Sequence, residues 1–187
     1  DVFRSDSSSG NDNEHDNHDK RDPRSNHHHP TMMTLDVMSA KPRALTTEDI
    51  TRVAHRLHRS LHLKGTVSIG VRFVSLQEIQ NLNRTFRRKN RPTDVLSFSA
   101  RASTEKMMTL PQKKKMSKVK NEDYWGDLAI CGDYAKEEAK RRGLPVREEL
   151  LRLLAHGVLH LAGFDHASEE DELAMFALQE KIIEPLL

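Results

Sequence analysis

The segment HGVLHLAGFDH at 156–166 places the strongest constraint on how this chain can fold. Its apolar spacing is that of a buried helix, yet His156 and His160 stand at i and i+4 and project from the same face. Gly163 can adopt the left-handed conformation that ends a helix, and the turn after it can bring His166 back toward the other two imidazoles. The segment therefore predicts a packed helix that gathers three histidines at one point.

Three imidazoles at one point are typical of a catalytic Zn²⁺ site, in which a fourth position is left for water. The spacing HxxxHxxGxxH is that of the metzincin peptidases, except that Gly157 stands where those enzymes carry their general-base glutamate. A glycine takes no proton, so ordinary peptide hydrolysis lacks its base. We expect one zinc ion per chain on His156, His160 and His166, and Asp165 either holds the tautomer of a ligand or is simply solvated.

The run NRTFRRKNRP at 83–92 is the second feature that bears on chemistry. Zinc lowers the pKa of a bound water toward about 7, a route that suits phosphodiester cleavage when a cation is near to stabilise the developing charge. The run offers such cations without any acid among them, and it leads directly into a predicted strand. A solvated basic loop is the alternative interpretation. The candidate RNA contacts are Arg84, Arg87, Arg88, Lys89 and Arg91.

Composition divides the chain of 187 residues into a tail and a body. Residues 1–31 contain only Val2 and Phe3 as apolar side chains, with seven acids and four bases, so we expect this stretch to be a disordered polar tail. The remaining residues, 32–187, carry 26 Lys and Arg against 21 Asp and Glu and are expected to form one domain. Their mildly basic balance permits a polyanionic partner.

Periodicity predicts an α+β fold, a small mixed sheet covered by helices, with the histidine segment as a zincin-like metal-binding helix. The connection at 101–123 has no periodicity and carries seven bases against three acids, so it is expected to be a basic insertion. A capping box of Ser75 and Glu78 starts the second helix. The predicted strands are 34–39, 66–74, 94–100 and 127–131, and the predicted helices are about 46–62, 76–86, 133–142, 147–162 and 169–183.

Three blocks together resemble a known family. HGVLHLAGFDH, FRRKNRPTDVLSF at 86–98 and GDLAIC at 126–131 are similar, in order and spacing, to the YbeY family of zinc-dependent endoribonucleases from about residue 34 onward. The resemblance implies zinc on His156, His160 and His166, and hydrolysis of single-stranded RNA. It also implies that Arg87 contacts RNA phosphate and assists cleavage, so that Arg87 and His156 are the candidate catalytic residues.

The same resemblance implies a role in the maturation of small-subunit ribosomal RNA and in ribosome quality control, with ribosomal proteins as further candidate partners. Two departures stand out: Ser99 replaces the proline that usually follows LSF, and the connection at 101–125 is longer and more basic than in typical members. We expect no membrane association, because no apolar run approaches a membrane span. The expected compartment is the cytoplasm, or an organelle if a targeting segment once preceded Asp1.

Other candidate residues carry weaker signals. A second histidine row, His55, His58 and His62, lies beside arginines at helical spacing and is interpreted as a basic flank rather than a metal site. Tyr124 and Trp125 could stack a base, although aromatic residues make up only 5% of the chain. Two alternatives to an endoribonuclease stay open: a metallopeptidase, supported by the histidine spacing, and a non-catalytic ribosome-assembly factor with a structural zinc.

Overall fold

The computed structural model describes residues 32–100, 122–165 and 168–187. Within them, four strands form one mixed sheet: β1 (Met33–Val37), β2 (Thr66–Val74), β3 (Val95–Ser99) and β4 (Glu122–Cys131). Their order in the sheet is β1-β2-β4-β3. The strands β1, β2 and β4 are parallel, and β3 pairs antiparallel with β4. The predicted tail, most of the predicted insertion, and His166 lie outside the described residues.

The helices confirm the α+β prediction, and the order of helices and strands is the predicted one. None of the helices described is long and apolar enough to cross a membrane. Their bounds agree with the predicted ones within two residues, helped by capping or breaking residues such as Thr46 before α1 and Gly143 after α3. They are α1 (Thr47–Ser60), α2 (Leu76–Arg87), α3 (Gly132–Arg142), α4 (Val146–Leu161) and α5 (Glu169–Ile183), followed by a 3₁₀ turn at Glu184–Leu186.

The main core lies between one face of the sheet and helices α1, α4 and α5. Alternation in β2 turns Val67, Ile69 and Val71 toward this core, and Leu154 and Val158 of α4 meet them from the helical layer, fully buried. Burying one such side chain stabilises the fold by about 1.5–3 kcal/mol. The opposite face is covered at β3 and β4 by α2, through a smaller cluster around Ile79 and Phe98.

Strand β4 begins at Glu122, five residues before the predicted start at Asp127, so the predicted insertion at 101–123 ends no later than residue 121. The pairing with β2 shifts at this point: Ser68 lies opposite Tyr124, and the next residue of β2 lies opposite Gly126. Trp125 is therefore an extra residue in a β-bulge. The bulge breaks the alternation of polar and apolar residues, which is why periodicity did not reveal the first half of the strand.

Helix α2 carries the basic run to the edge of the sheet. Ser75 caps its first turn by accepting a hydrogen bond from the Glu78 backbone N–H at 3.2 Å. The Glu78 carboxylate accepts from Arg72 of β2 at 2.6 Å, rather than completing the predicted capping box. At the other end, Arg88 takes the left-handed conformation with φ of 58°, which ends the helix and turns the chain toward β3.

The second histidine row does not come together as a site in the described part of the chain. His58 is buried, with Nε2 3.1 Å from the carbonyl oxygen of Gly65, whereas His55 and His62 are exposed. Beside the row, Arg56 donates to the carbonyl oxygen of Lys181 at 2.9 Å and also to that of Ile182. Arg56 therefore satisfies carbonyl groups at the end of α5, a structural role that sequence reasoning did not foresee.

Candidate active site

The two histidines of helix α4 meet at the surface of a cleft. His156 and His160 stand one turn apart on α4, and their Nε2 atoms lie 3.1 Å from each other. The rings are nearly perpendicular, with an interplanar angle of 84° and centroids 4.7 Å apart. The structure thus brings together two of the three predicted metal ligands, through the i, i+4 spacing alone.

Each imidazole is oriented through its other nitrogen. The Nδ1 atom of His160 lies 3.0 Å from the carbonyl oxygen of Phe164, and that of His156 lies 3.0 Å from Oε1 of Gln179 on α5. The Gln179 amide is itself oriented, because its Nε2 donates to a Glu180 carboxylate oxygen at 3.2 Å. Both neighbours are oxygens, so the tautomer that forms these two hydrogen bonds is the one with its proton on Nδ1.

This tautomer leaves a lone pair on each Nε2, and the two Nε2 atoms lie 3.1 Å apart. Two acceptors at that distance repel unless a proton or a cation lies between them. Nitrogens bound at about 2.0–2.1 Å to a tetrahedral metal ion are themselves about 3.3 Å apart, close to the separation seen here. The donor set therefore fits a metal ion, with each ligand held from behind by a neutral oxygen acceptor.

The third predicted ligand, His166, lies outside the described residues, as does Ala167. The described residues by themselves bring together no group of three His, Cys, Asp or Glu that could hold a metal. Gly163 has φ of 98° and ends α4 as predicted, and its backbone N–H donates to the His160 carbonyl oxygen at 3.0 Å. Asp165 follows on the exposed turn at the edge of the cleft. The Nδ1 atoms of the two described histidines contact Gln179 and Phe164. The predicted role of Asp165 in holding the tautomer of a ligand stays a prediction.

Gly157 is buried where α4 crosses the sheet. A Cβ atom at this position would lie 2.9 Å from a Leu128 methyl carbon and 3.4 Å from one of Val95. Its carbonyl oxygen accepts a hydrogen bond from Ser97 Oγ at 3.1 Å, which ties β3 to the helix. A glutamate here would point into the sheet instead of the cleft. The glycine therefore serves close packing, and the geometry as well as the residue type excludes a metzincin base at position 157.

The basic run forms the opposite wall of the cleft and is held by one buried side chain. Asn83 is 4% exposed, and its Nδ2 donates to the carbonyl oxygen of Arg91 at 2.7 Å. The backbone carbonyl oxygen of Asn83 accepts from the backbone N–H of Lys89 at 3.3 Å and from the backbone N–H of Arg88. Asn83 thus spans the loop from both sides and fixes where its cations lie.

The cleft between these walls has a volume of about 610 Å³. It is lined by the two histidines and by three of the five predicted RNA-contacting cations, namely Arg87, Lys89 and Arg91, all of them exposed. The other two, Arg84 and Arg88, do not line it. Arg84 lies on α2 and donates to Asn81 Oδ1 at 3.3 Å, and Arg88 lies at the left-handed turn that follows the helix. The structure therefore separates the basic run into cations that face the histidines and cations that do not.

Sequence reasoning missed two residues that shape this site, Gln179 and Asn83. Each is a buried amide on the apolar face of a helix. Gln179 lies between Met175 and Ile182 on α5, and Asn83 follows Leu82 on α2. A polar residue on a buried face needs a hydrogen-bond partner, and that is the signal that could have found them. The identity of each partner could not be read from the sequence, because it lies on another element.

The two predicted base-stacking residues are both engaged in contacts within β4, and Trp125 is too deeply buried to stack on a base. Trp125 is 3% exposed in the main core, and its Nε1 donates to Asp123 at 3.1 Å. Tyr124 donates its hydroxyl to Asp127 at 2.5 Å. Burial, together with this contact to Asp127, raises the pKa of the Tyr124 hydroxyl well above its usual range. Both aromatic residues are structural parts of the β4 bulge.

Fold and cleft together define an α+β protein with one mixed sheet, whose candidate active site sets a histidine pair opposite a basic loop. The chain belongs to the YbeY family: the family model described as Endoribonuclease YbeY matches residues 37–187. This result confirms the family suggested by the three sequence blocks.

Two proteins named Endoribonuclease YbeY and one solved structure are similar to this chain. A protein of Persephonella marina named Endoribonuclease YbeY is 36% identical over 143 residues, covering 76% of this chain and 84% of the relative. A protein of the same name from Staphylococcus carnosus is 37% identical over 122 residues, covering 65% of this chain and 74% of the relative. The solution structure of TM1509 from Thermotoga maritima matches with 24% identity and a TM-score of 0.49, over 82% of this chain and 91% of that one.

Proposed function

We propose that this protein is a zinc-dependent endoribonuclease that cuts single-stranded RNA and acts in the maturation and quality control of small-subunit ribosomal RNA. One observation carries the proposal: two Nε2 acceptors 3.1 Å apart face a cleft whose opposite wall presents Arg87, Lys89 and Arg91. Histidine nitrogens suit a metal ion and arginine side chains suit phosphate, so the cleft combines the two requirements of metal-assisted phosphodiester cleavage.

The chain's own residues have separable tasks in this proposal. The zinc ion would be held by His156, His160 and His166. When bound, it would act as a Lewis acid that lowers the pKa of a water molecule. Arg87 would place two parallel N–H donors against the scissile phosphate and stabilise the charge that grows on it. Lys89 and Arg91 would hold the neighbouring backbone phosphates through charge.

The substrate and setting follow from the family rather than from the cleft. The named relatives are endoribonucleases, which supports RNA as the substrate. Ribosomal RNA of the small subunit, a ribosomal protein as a further partner, and action in the cytoplasm are parts of the proposal that family resemblance supports. An exposed cleft with cations on one wall suits a strand whose phosphates are accessible along one side.

A metallopeptidase is the competing enzymatic hypothesis, and the packing at Gly157 weighs against it. A general-base side chain at that position would meet Leu128 at 2.9 Å from its Cβ and could not reach the cleft. A non-catalytic ribosome-assembly factor is the third hypothesis, in which the same cleft binds RNA without cutting it.

One experiment separates the three hypotheses. Purified protein is given labelled single-stranded RNA, the same RNA as a duplex, and casein, each with and without a chelator and with zinc added back. We expect cleavage of the single strand alone, loss of that cleavage with chelator, and recovery with zinc. Cleavage of casein instead would establish the peptidase, and chelator-insensitive RNA binding without cleavage would establish the assembly factor.

A further inference from the structure

A second pocket of about 500 Å³ adjoins the cleft and shares two residues with it, Asp94 and His156. The cleft and the second pocket therefore meet at Asp94 and His156. Asp94 is fixed at this junction, because its carboxylate accepts from the Val95 backbone N–H at 2.7 Å and its carbonyl oxygen accepts from the Cys131 N–H at 2.8 Å. An RNA strand that enters the cleft thus passes the mouth of the second pocket beside the candidate metal site.

The second pocket presents an exposed aromatic ring. Phe176 of α5 lies nearly parallel to the His156 ring, with an interplanar angle of 24° and centroids 6.0 Å apart. It is 39% exposed, and no other aromatic side chain in the described ranges is as open to solvent. Trp125 and Phe98, by contrast, are each 3% exposed and pack in the core.

Charge distinguishes the two hollows. The second pocket is lined by three arginines and three carboxylates, and several of these pair with each other, as Arg142 does with Glu149 at 2.8 Å. Burial raises the pKa of Glu149, although Arg142 opposes that shift. The cleft has three cations against two carboxylates, Asp94 and Asp165. An anionic phosphate is therefore favoured in the cleft, and a neutral, polar and aromatic group suits the second pocket.

The geometry points to a nucleobase site: an unpaired base of the bound RNA enters the second pocket and stacks on Phe176 while its phosphate lies in the cleft. This inference rests on the proposed function and names the residue that reads the substrate. A base in a duplex is already stacked and paired, and it would have to leave both arrangements to reach Phe176. Stacking on Phe176 therefore favours single strands without reading their sequence, since every base has a π face.

The test uses a single-stranded RNA oligomer and a set of the same oligomers with one abasic nucleotide at successive positions. Wild-type protein, Phe176→Ala and Phe176→Trp are compared for KM, kcat and bound metal. Loss of one stacked base weakens binding about tenfold, so we expect Phe176→Ala to raise KM about tenfold on intact RNA, and Phe176→Trp to retain a KM near that of wild type. Leu173→Ala is the matched control, because Leu173 is 64% exposed on the same helix but does not line the pocket.

The most specific result comes from combining Phe176→Ala with the abasic oligomers and asking whether their effects on KM add. At one position, the abasic substitution should raise KM for the wild type about as much as Phe176→Ala does on intact RNA, and should have little further effect on Phe176→Ala. In a binding experiment, 2-aminopurine at that position should lose fluorescence when the wild-type protein binds the RNA. Phe176→Ala should not cause this quenching. Additive effects at every position, or an unchanged KM in Phe176→Ala, would overturn the base site while leaving RNA cleavage by the wild type intact.

The same design keeps this inference distinct from the proposed function. A wild-type protein that neither binds nor cuts any of the oligomers would overturn the proposed function and the base site together. A raised KM in Phe176→Ala that does not depend on the abasic position, with a matching rise in Leu173→Ala, would show that changes on this face of α5 weaken RNA binding without a base contact, and would overturn the base site.

Discussion

The two walls of the cleft differ in how their functional side chains are held. On the α4 wall, each histidine is fixed at its Nδ1 atom by an oxygen of the protein, so the Nε2 atoms have one defined direction. On the loop wall, Arg87, Lys89 and Arg91 are exposed and their position depends on the backbone that Asn83 ties together. Hydrogen bonds fix the side chains themselves on the α4 wall, whereas on the other wall they fix only the backbone that carries the side chains. The first suits metal binding, which demands geometry, and the second suits a polyanion, which demands charge.

The largest effect is expected when a histidine of the first wall is removed. His160→Ala should lose most of its bound metal and reduce RNA cleavage to background, because three-ligand sites rarely survive the loss of a ligand. Elemental analysis of the purified variant measures the metal. His55→Ala, an exposed histidine on α1, is the matched control and should keep both metal and activity. Near-stoichiometric metal in His160→Ala would refute the assignment of this wall.

The next largest effect is expected on the second wall, at Arg87. Arg87→Lys keeps the charge but removes the two parallel donors, so we expect cleavage to fall about 100-fold, the scale seen when a transition-state donor is lost. Metal content and melting temperature should stay near wild type. Arg84→Lys, one turn earlier on α2 and outside the cleft lining, is the control and should cleave normally. Cleavage by Arg87→Lys at the wild-type rate would reduce the basic run to a solvated loop.

Gln179→Leu tests whether the first wall depends on its buried support. The change removes the acceptor of the His156 Nδ1 proton from a site that is 5% exposed, and such contacts behind a ligand typically change metal affinity about 10–100-fold. Competition with a chromophoric chelator measures the affinity directly. Gln77→Leu, an exposed glutamine on α2, is the control. Unchanged metal affinity in Gln179→Leu would show that the direction of His156 is set by packing alone.

Asn83→Ala is the corresponding change on the second wall, and the two variants should have opposite signatures. Loss of the 2.7 Å bond to the Arg91 carbonyl should lower the free energy of unfolding by about 1–3 kcal/mol and raise KM for RNA, because the loop cations lose their fixed position. Metal affinity should not change. Asn81→Ala, exposed on the same helix, is the control for stability. A loss of metal affinity in Asn83→Ala would show that the walls are coupled.

The difference between the walls also explains what the sequence could predict. Periodicity located the helices because burial of one face repeats along the chain, and the i, i+4 spacing placed His156 and His160 together without any tertiary information. The division of the basic run into cations inside and outside the cleft was not predictable, because it depends on the left-handed turn at Arg88. Gln179 and Phe176 were missed because their roles arise only when α5 packs on α4.

The smallest effect is expected outside both walls, at the polar tail of residues 1–31. The tail has two apolar side chains and sits before β1, so its deletion should change the free energy of unfolding by less than about 1 kcal/mol and leave metal content unaltered. Leu35→Ala supplies the comparison, because Leu35 is 8% exposed in β1 and its truncation should cost about 2–5 kcal/mol. Thermal unfolding of both variants measures the difference. If deletion of the tail destabilises the protein as much as Leu35→Ala does, the tail packs against the body and the boundary at residue 32 is misplaced.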